Sequence, residues 1–193
     1  MKTILIIGDD KLGHRAVQKL HGQVPIYLNS SNSLKRIFKL VYKKILRLDD
    51  LLQMGWAEYV RSDVSVPELP ALHSNQEVID MVEREKPDRV ICFRAGLIIG
   101  KRTLSTGPQF LNLHYADLPE WGGLASLPRA MRAKAYEQNA CLHEMVPEID
   151  GGEVYAREPY KLDPGLSYRE NEDHAFDSGL TLLNKIVSGE VKV

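Results

Sequence analysis

The sequence predicts an α/β fold with a doubly wound, mostly parallel, Rossmann-like sheet in a single domain over residues 1–193. Two observations predict it: short, mostly apolar runs suited to strands that are buried on both faces, and amphipathic helical segments that alternate with them. The chain has 193 residues, of which 44% are hydrophobic. That length allows one substantial core and is too short for two comfortable domains.

Hydrophobic periodicity and capping signals set the order of the elements. Apolar runs of strand length occur at residues 3–7, 25–28, 89–93, 110–113 and 140–146. Apolar residues at helical spacing occur at residues 12–20, 34–46, 51–60 and 76–85. Ser33 and Asn75 directly precede two of these helices and are predicted as N-caps, because both side chains accept hydrogen bonds from helical N–H groups. Strands that alternate with helices in this way favour a parallel sheet.

The composition favours a soluble, cytoplasmic protein. A formal net charge of −1 gives no electrostatic reason to expect binding to nucleic acid or to an anionic membrane. The first apolar run is too short for the core of a signal peptide, and no run approaches the ~20 residues of a membrane span. Cys92 and Cys141 lie in strand-like apolar runs, so reduced and buried thiols are expected, and no metal site is predicted.

The first strand-to-helix turn, Gly8 to Gly13, is similar to a dinucleotide-binding loop but lacks its second glycine. Asp10 stands where glycine would let the backbone approach a pyrophosphate, and Asp9 precedes it with another carboxylate. These charges would repel an anion, so no nucleotide cofactor is expected at this turn. The basic helix at residues 34–46 either faces solvent or contacts a phosphate or an acidic partner.

A candidate reaction centre follows from polar residues near two predicted strands. Asn112 and His114 are two residues apart, so both side chains leave an extended strand by the same face. Asp150 is expected to close the second of these strands. If the strands are neighbours, Asp150 orients His114 while Asn112 donates to the same reacting oxygen, a geometry suited to acyl transfer. Each residue also has a purely structural interpretation, in a turn or in the core.

Asn112-Leu113-His114, Leu118-Pro119 and Ile149-Asp150-Gly151-Gly152, in this order, resemble the folate-dependent formyltransferase family, closest in logic to its sugar N-formyltransferases. The resemblance covers residues 86–160 well and residues 25–74 poorly. It implies that 10-formyltetrahydrofolate, as co-substrate, gives its formyl group to a primary amine. It also implies a cis peptide at Leu118-Pro119, and His143 matches a histidine often present in the family. Because His143 lies seven residues before Asp150 and differs from it in strand parity, a supporting role is expected for it rather than direct chemistry.

The resemblance assigns roles to particular residues. Asn112 and a protonated His114 would stabilise the oxyanion, while Asp150 would hold His114 and relay the proton lost by the amine. The formyl donor would lie beside Arg94, Ala95, Gly96, Leu97, Ile98, Val146, Ile149 and Asp150. The acceptor would be bound by Asp9, Asp10, Trp121, Gly122 and Gly123, where Trp121 offers either a flat face to a sugar ring or a core contact.

The acceptor amine is open at this stage. The resemblance places a ribonucleotide phosphate at the first turn of the purine-pathway enzymes, so Asp9 and Asp10 argue against glycinamide ribonucleotide. Methionyl-tRNA is not expected, because the chain ends soon after residues 180–187 and has no basic surface overall. A nucleotide-linked amino sugar is the first expectation, with its phosphates near the basic helix or near Arg129 and Arg132.

Glycinamide ribonucleotide is the second candidate and hydrolysis of the formyl-folate the third. A catalytically inactive module that binds folate or a partner is a further alternative. Loss of a catalytic residue would be the simplest sign of such a module, and this chain retains Asn112, His114 and Asp150. The sequence leaves open whether the chain forms a homodimer.

Overall fold

The computed structural model describes residues 1–30 and 47–191. The strands are β1 (Thr3–Gly8), β2 (Ile26–Asn29), β3 (Ala71–Leu72), β4 (Arg89–Phe93), β5 (Gln109–His114), β6 (Glu137–Glu144) and β7 (Val154–Lys161). The helices are α1 (Lys11–Leu20), α2 (Leu48–Val60), α3 (Asn75–Glu85), α4 (Lys101–Leu104), α5 (Ser126–Arg132) and α6 (Tyr168–Val187). The helix predicted at residues 34–46 and its Ser33 cap lie outside the described residues.

These strands form one sheet in the order β3-β2-β1-β4-β5-β6-β7. Strands β1 to β5 pair with one another in parallel, whereas β6 is antiparallel to β5 and β7 is antiparallel to β6. The doubly wound, mostly parallel sheet is therefore confirmed, with an antiparallel edge that the sequence analysis did not predict. The direction of winding changes between β1 and β4, and in such sheets ligands bind beyond the carboxyl ends of the strands at this point.

Helices cover both faces of the sheet, which explains the continuous apolar runs. Leu5 and Ile7 of β1 belong to the core cluster that α1 and α6 cover. Ile4 and Ile6 alternate with them and belong to the cluster that α3 covers. All four side chains are fully buried, as a parallel strand with both faces covered requires.

The start of α3 differs from the prediction by one residue. Ser74 is its N-cap and accepts a hydrogen bond from the Glu77 N–H at 3.3 Å. The Asn75 side chain instead holds the loop after β4: its Oδ1 accepts from the Gly100 N–H at 2.7 Å, and its amide donates to the Ile98 carbonyl at 2.9 Å. Either residue type can cap a helix, so only the surrounding structure decides between them.

The antiparallel edge brings His143 opposite Asn112 and Cys141 opposite His114. β6 begins three residues before the predicted strand and ends two residues before its predicted end, so Asp150 does not close a strand; it lies in the loop between β6 and β7. β7 and α6 were not predicted. The residues of β7 alternate between half-buried and exposed, and such an edge strand lacks a continuous apolar run.

Cys92 and Cys141 are buried free thiols, as predicted. Burial raises the pKa of Cys92 to about 12 and that of Cys141 to about 11, so neither thiol is ionised at neutral pH. Among the described residues, no helix has the length and apolar character needed to cross a membrane.

Candidate active site

The predicted catalytic residues meet at the middle of the sheet. Asn112 and His114 extend from β5, and the loop between β6 and β7 folds back to bring Asp150 to them. His114 Nδ1 lies 3.7 Å from Asp150 Oδ2, and these side chains are only 14% and 12% exposed. Asn112 and His114, which the two-residue spacing placed on one face of the strand, thus contribute to one largely buried site.

His143 orients the Asn112 amide. Its Nδ1 lies 2.8 Å from the Glu144 carbonyl, and because a carbonyl can only accept, Nδ1 carries a proton. In the neutral ring Nε2 is therefore an acceptor, and the Asn112 amide nitrogen lies 3.1 Å from it. One amide N–H is used there and the second remains for a ligand. His143 Nε2 is also 3.4 Å from Asp150 Oδ1, a contact that becomes a hydrogen bond only when the ring is protonated, so the neutral ring is a positioning residue for Asn112 alone.

The Asp-Gly-Gly turn fixes the position of Asp150. Asp150 has a left-handed backbone with φ of 53°, and its Oδ2 accepts from the Gly123 N–H at 2.6 Å. A Cβ on Gly152 would lie 2.0 Å from the Glu144 carbonyl oxygen, so the return of the loop onto the end of β6 requires glycine there.

The electrostatics of Asp150 favour a carboxylate at neutral pH. Burial raises the pKa of Asp150, but His143, the charge of His114 and the Gly123 N–H together lower it to about 2.

The imidazole of His114 faces two different partners. Its Nε2 lies 3.0 Å from the Trp121 carbonyl and therefore donates, which leaves Nδ1 facing the Asp150 carboxylate. Burial lowers the pKa of His114 below its ordinary value, and nearby His143 and Arg129 lower it further, against the opposing effects of Asp150 and the Trp121 carbonyl. These effects together favour the neutral form of His114 at neutral pH.

The loop after β5 contacts the catalytic residues through its backbone. The Leu118-Pro119 peptide is cis, as the resemblance predicted. The Trp121 carbonyl meets His114, whereas the Trp121 ring packs at the edge of a core cluster that includes Leu127. Arg129 holds this loop by donating to the carbonyls of Trp121, at 3.3 Å, and Gly122. The acceptor role predicted for these loop residues stays a prediction.

Both arginines proposed as an anion site already contact other groups of the protein, although Arg129 Nε is buried without a hydrogen-bond partner among the described residues. Arg129 donates to loop carbonyls, and Arg132 makes a two-pronged ion pair with the buried Asp50 at 2.6 and 3.1 Å. The prediction that Arg129 and Arg132 bind substrate phosphates stays a prediction.

The first turn holds its acidic residues in contacts that the sequence analysis missed. Asp10 is the N-cap of α1, accepts from the Gly13 N–H at 2.7 Å and pairs with Arg94 at 2.8 Å. Asp9 accepts from the Ser30 hydroxyl at 2.8 Å. Asp10 thus does not merely repel an anion at the helix N-terminus; its own carboxylate occupies that position.

Arg94 joins the first turn to the last helix. Besides Asp10, its guanidinium contacts the Tyr115 hydroxyl at 3.0 Å and Glu172 at 3.4 Å. Glu172 in turn pairs with Arg61 at 2.9 Å, and both of those side chains are almost fully buried. Since these contacts occupy its guanidinium, Arg94 can serve the predicted donor site only through its backbone.

The segments predicted to bind the formyl donor lie on the α3 side of the sheet. Ala95, Leu97 and Met145 pack against the core cluster of that face, and the Leu97 N–H donates to Asn29 Oδ1 at 3.0 Å. Ile98 and Ile149, one in each loop, are 51% and 69% exposed. Two loops that present exposed apolar side chains suit a flat heterocycle.

Comparisons with known proteins agree with this geometry. The family model described as formyl transferase matches residues 58–186, and the chain belongs to this family. Methionyl-tRNA formyltransferase of Treponema pallidum (strain Nichols) is 30% identical over 156 residues, which cover 77% of this chain and 46% of that relative. The chain thus spans about half the length of the curated relatives it matches.

Solved structures share the fold. Phosphoribosylglycinamide formyltransferase from Streptococcus pneumoniae TIGR4 superposes with a TM-score of 0.68 and 16% identity, covering 100% of both chains. A 4-N formyltransferase from Francisella tularensis superposes with a TM-score of 0.62 and 14% identity, covering 97% of this chain and 70% of that one. At these identities the comparison establishes the fold alone.

Proposed function

We propose that this protein transfers a formyl group from 10-formyltetrahydrofolate to a primary amine. The observation that carries the proposal is the assembly of Asn112, His114 and Asp150 in one buried centre of a chain that belongs to the formyl transferase family. In the reaction the amine nitrogen bonds to the formyl carbon, the bond from that carbon to N10 breaks, and tetrahydrofolate leaves.

The state of His114 suggests how the amine becomes a nucleophile. The acceptor arrives as an ammonium ion and must be neutral to attack. The neutral imidazole can take that proton at Nδ1, and Asp150 at 3.7 Å then stabilises the imidazolium.

The free N–H of Asn112 stabilises the oxyanion as it forms, and the positive charge of the imidazolium adds to this effect without a hydrogen bond, because both of its N–H groups face other partners. A second proton, lost when the C–N bond forms, passes to N10 of the leaving tetrahydrofolate, and His114 returns its proton to solvent.

A nucleotide-linked amino sugar is the acceptor we propose. Asp10 occupies the N-terminus of α1 and pairs with Arg94, which leaves no place there for the phosphate of glycinamide ribonucleotide. An amino sugar whose phosphates bind elsewhere meets no such obstacle. Methionyl-tRNA is the second candidate acceptor, because a curated methionyl-tRNA formyltransferase is 30% identical to this chain over 156 residues.

A formyl-transfer assay that follows tetrahydrofolate release distinguishes these acceptors. We expect turnover with a 4-amino sugar carried on a nucleotide and little or none with glycinamide ribonucleotide or methionyl-tRNA. A kcat/KM of order 10⁴ M⁻¹s⁻¹ or above with glycinamide ribonucleotide would overturn the acceptor and leave formyl transfer intact. Hydrolysis of the donor without transfer to any amine would overturn the proposed reaction itself.

Alanine variants test the centre directly. We expect Asn112→Ala, His114→Ala and Asp150→Ala each to lower kcat at least about 100-fold, because each removes an interaction made in the transition state. The measurement is kcat with saturating donor and acceptor, with circular dichroism to verify folding. Glu148→Ala, exposed in the loop that carries Asp150, is the matched control and should keep its turnover. Turnover within a few-fold of wild type in all three variants would place the chemistry elsewhere.

A further inference from the structure

Helix α2 presents an apolar stripe to solvent. Leu48, Leu52, Trp56 and Tyr59 are 60%, 65%, 66% and 75% exposed. Their spacing of four, four and three residues places them along one side of the helix, while Ala57 anchors the other side in the protein. Monomeric proteins rarely leave a contiguous apolar patch of this kind uncovered.

Gly55 lies at the edge of the same side of α2 and, because it has no side chain, leaves a gap there that we call the notch. A glycine in the middle of a helix is unfavourable relative to alanine, because it loses more backbone freedom on folding. A Cβ built on Gly55 meets no atom within 4 Å in the described part of the chain, so no described contact accounts for the glycine. The missing side chain lies directly beside Trp56, the bulkiest member of the stripe.

We propose that α2 is an interface at which a second copy of this chain docks antiparallel about a twofold axis. With the axis between Gly55 and Trp56, the indole of Trp56 lies over Gly55 of the partner subunit, and Leu52 lies opposite Tyr59 of the partner subunit. The large side chain of Trp56 and the notch at Gly55 are adjacent in sequence. In each copy the indole can therefore fill the notch of the other copy, which gives the self-complementary surface that a twofold interface requires. A parallel pair would instead place the two indoles against each other.

The charges at the ends of α2 suit the same arrangement. Arg47, just before the helix, has a side chain that is 59% exposed, and Asp63, just after it, has one that is 92% exposed. Antiparallel docking brings each Arg47 towards Asp63 of the partner subunit. Within the chain Arg47 makes two hydrogen bonds to Asp49, at 2.8 and 2.9 Å, and Asp63 pairs with Lys11 at 3.3 Å, so docking would have to share or replace these contacts.

The exposed area of the stripe sets the size of the proposed interface. Side chains of this size and exposure bury roughly 500 Å² per copy, or about 1,000 Å² in total, which is the lower limit for a specific interface. An interface at this limit is expected to give a weak, reversible dimer.

Sedimentation equilibrium of the full chain between about 1 and 200 µM tests the proposal. We expect a concentration-dependent monomer–dimer equilibrium. Gly55→Ala should weaken it at least about tenfold by filling the notch, and Trp56→Glu should abolish it. Because alanine favours a helix, Gly55→Ala cannot act by unfolding, which a melting curve of the monomer verifies. Gln53→Ala, exposed on α2 to one side of the stripe, is the control and should leave the dissociation constant unchanged.

Each contrary outcome is decisive. A wild-type chain that is monomeric at about 200 µM overturns the proposal, as does a dimer that Gly55→Ala and Trp56→Glu leave intact. The stripe is remote in sequence from the catalytic residues, and Gly55→Ala should keep formyl-transfer activity. Failure of the dimer is thus separate from failure of the proposed function.

Discussion

At the residue scale, His114 is surrounded by groups that act on its charge in opposite directions. Asp150 and the Trp121 carbonyl favour the imidazolium, whereas burial, His143 and Arg129 disfavour it, and the pKa is lowered overall. A residue that must accept a proton is useful in its neutral form at working pH, and this environment provides that form.

The pH profile tests this role. We expect kcat/KM to fall on the acid side with an apparent pKa below 6.5, because a His114 that is already protonated cannot take the proton of the acceptor ammonium. The measurement is kcat/KM for the acceptor from about pH 5 to pH 9. His73→Gln, at an exposed position, should leave this limb unchanged. A limb centred above 6.5 would contradict the assignment of His114 as the proton acceptor.

The Asp150 carboxylate makes stability depend on pH. Its pKa falls from an ordinary 3.8 to about 2 in the folded protein, so the stabilisation is complete above 3.8 and is lost as the pH falls through 2. This shift corresponds to about 2 kcal/mol of unfolding free energy. Urea unfolding between about pH 2 and pH 5 measures this loss in the wild type.

Asp150→Asn should lack that part of the pH dependence, because an amide does not titrate. Asp80→Asn, exposed on α3, is the control and should follow the wild type. Equal pH slopes in the wild type and Asp150→Asn would show that the carboxylate gains nothing from its surroundings on folding.

At the scale of elements, the first turn of α1 differs from the first turn of α3 in one respect. Both helices have a side-chain N-cap, Asp10 and Ser74, but only Asp10 also pairs with an arginine, Arg94. The Arg94 side chain is 10% exposed and reaches across 84 residues of sequence to Asp10. The cap of α1 thus also ties β1 and α1 to the loop after β4.

The two caps permit a matched comparison. We expect Asp10→Ala to lower the free energy of unfolding by about 2–3 kcal/mol, because a cap is lost and a buried cation keeps only part of its pairing. Ser74→Ala removes a cap alone and should cost about 1 kcal/mol. Urea denaturation at neutral pH measures both. An equal loss in the two variants would show that the Asp10–Arg94 pair contributes no net stability.

At the scale of the whole molecule, the proposed donor site unites loops that are far apart in sequence. One loop follows β4 and carries Ile98, and the other precedes β7 and carries Ile149. Each presents an exposed apolar side chain. The sheet order, which places β4, β5 and β6 side by side, makes this possible.

Substitutions in these loops test the donor site. We expect Ile98→Ser and Ile149→Ser each to raise the KM for 10-formyltetrahydrofolate about tenfold with little change in kcat, because apolar contact with a bound heterocycle is lost equally in ground and transition states. Steady-state kinetics with saturating acceptor measure both constants. Tyr155→Ser, which is 38% exposed on β7, is the control. An unchanged KM in both loop variants would place the donor elsewhere.

Features set by local pattern could be predicted from the sequence. The apolar runs of β1 and β4 require burial on both faces, so their place in a covered parallel sheet follows from composition. Asn112 and His114 share a face because strand side chains alternate with a period of two. The sequence by itself therefore determined the fold class and one half of the candidate site.

The other half was decided by tertiary structure. Asp150 reaches His114 through a turn rather than a strand end, and the tautomer of His143, which orients Asn112, depends on the Glu144 carbonyl. The choice of Ser74 over Asn75 as a cap likewise depends on what surrounds α3. Hydrophobic periodicity is a local property that a sequence displays directly, whereas the partner of a polar group is whichever group packing brings within hydrogen-bonding distance.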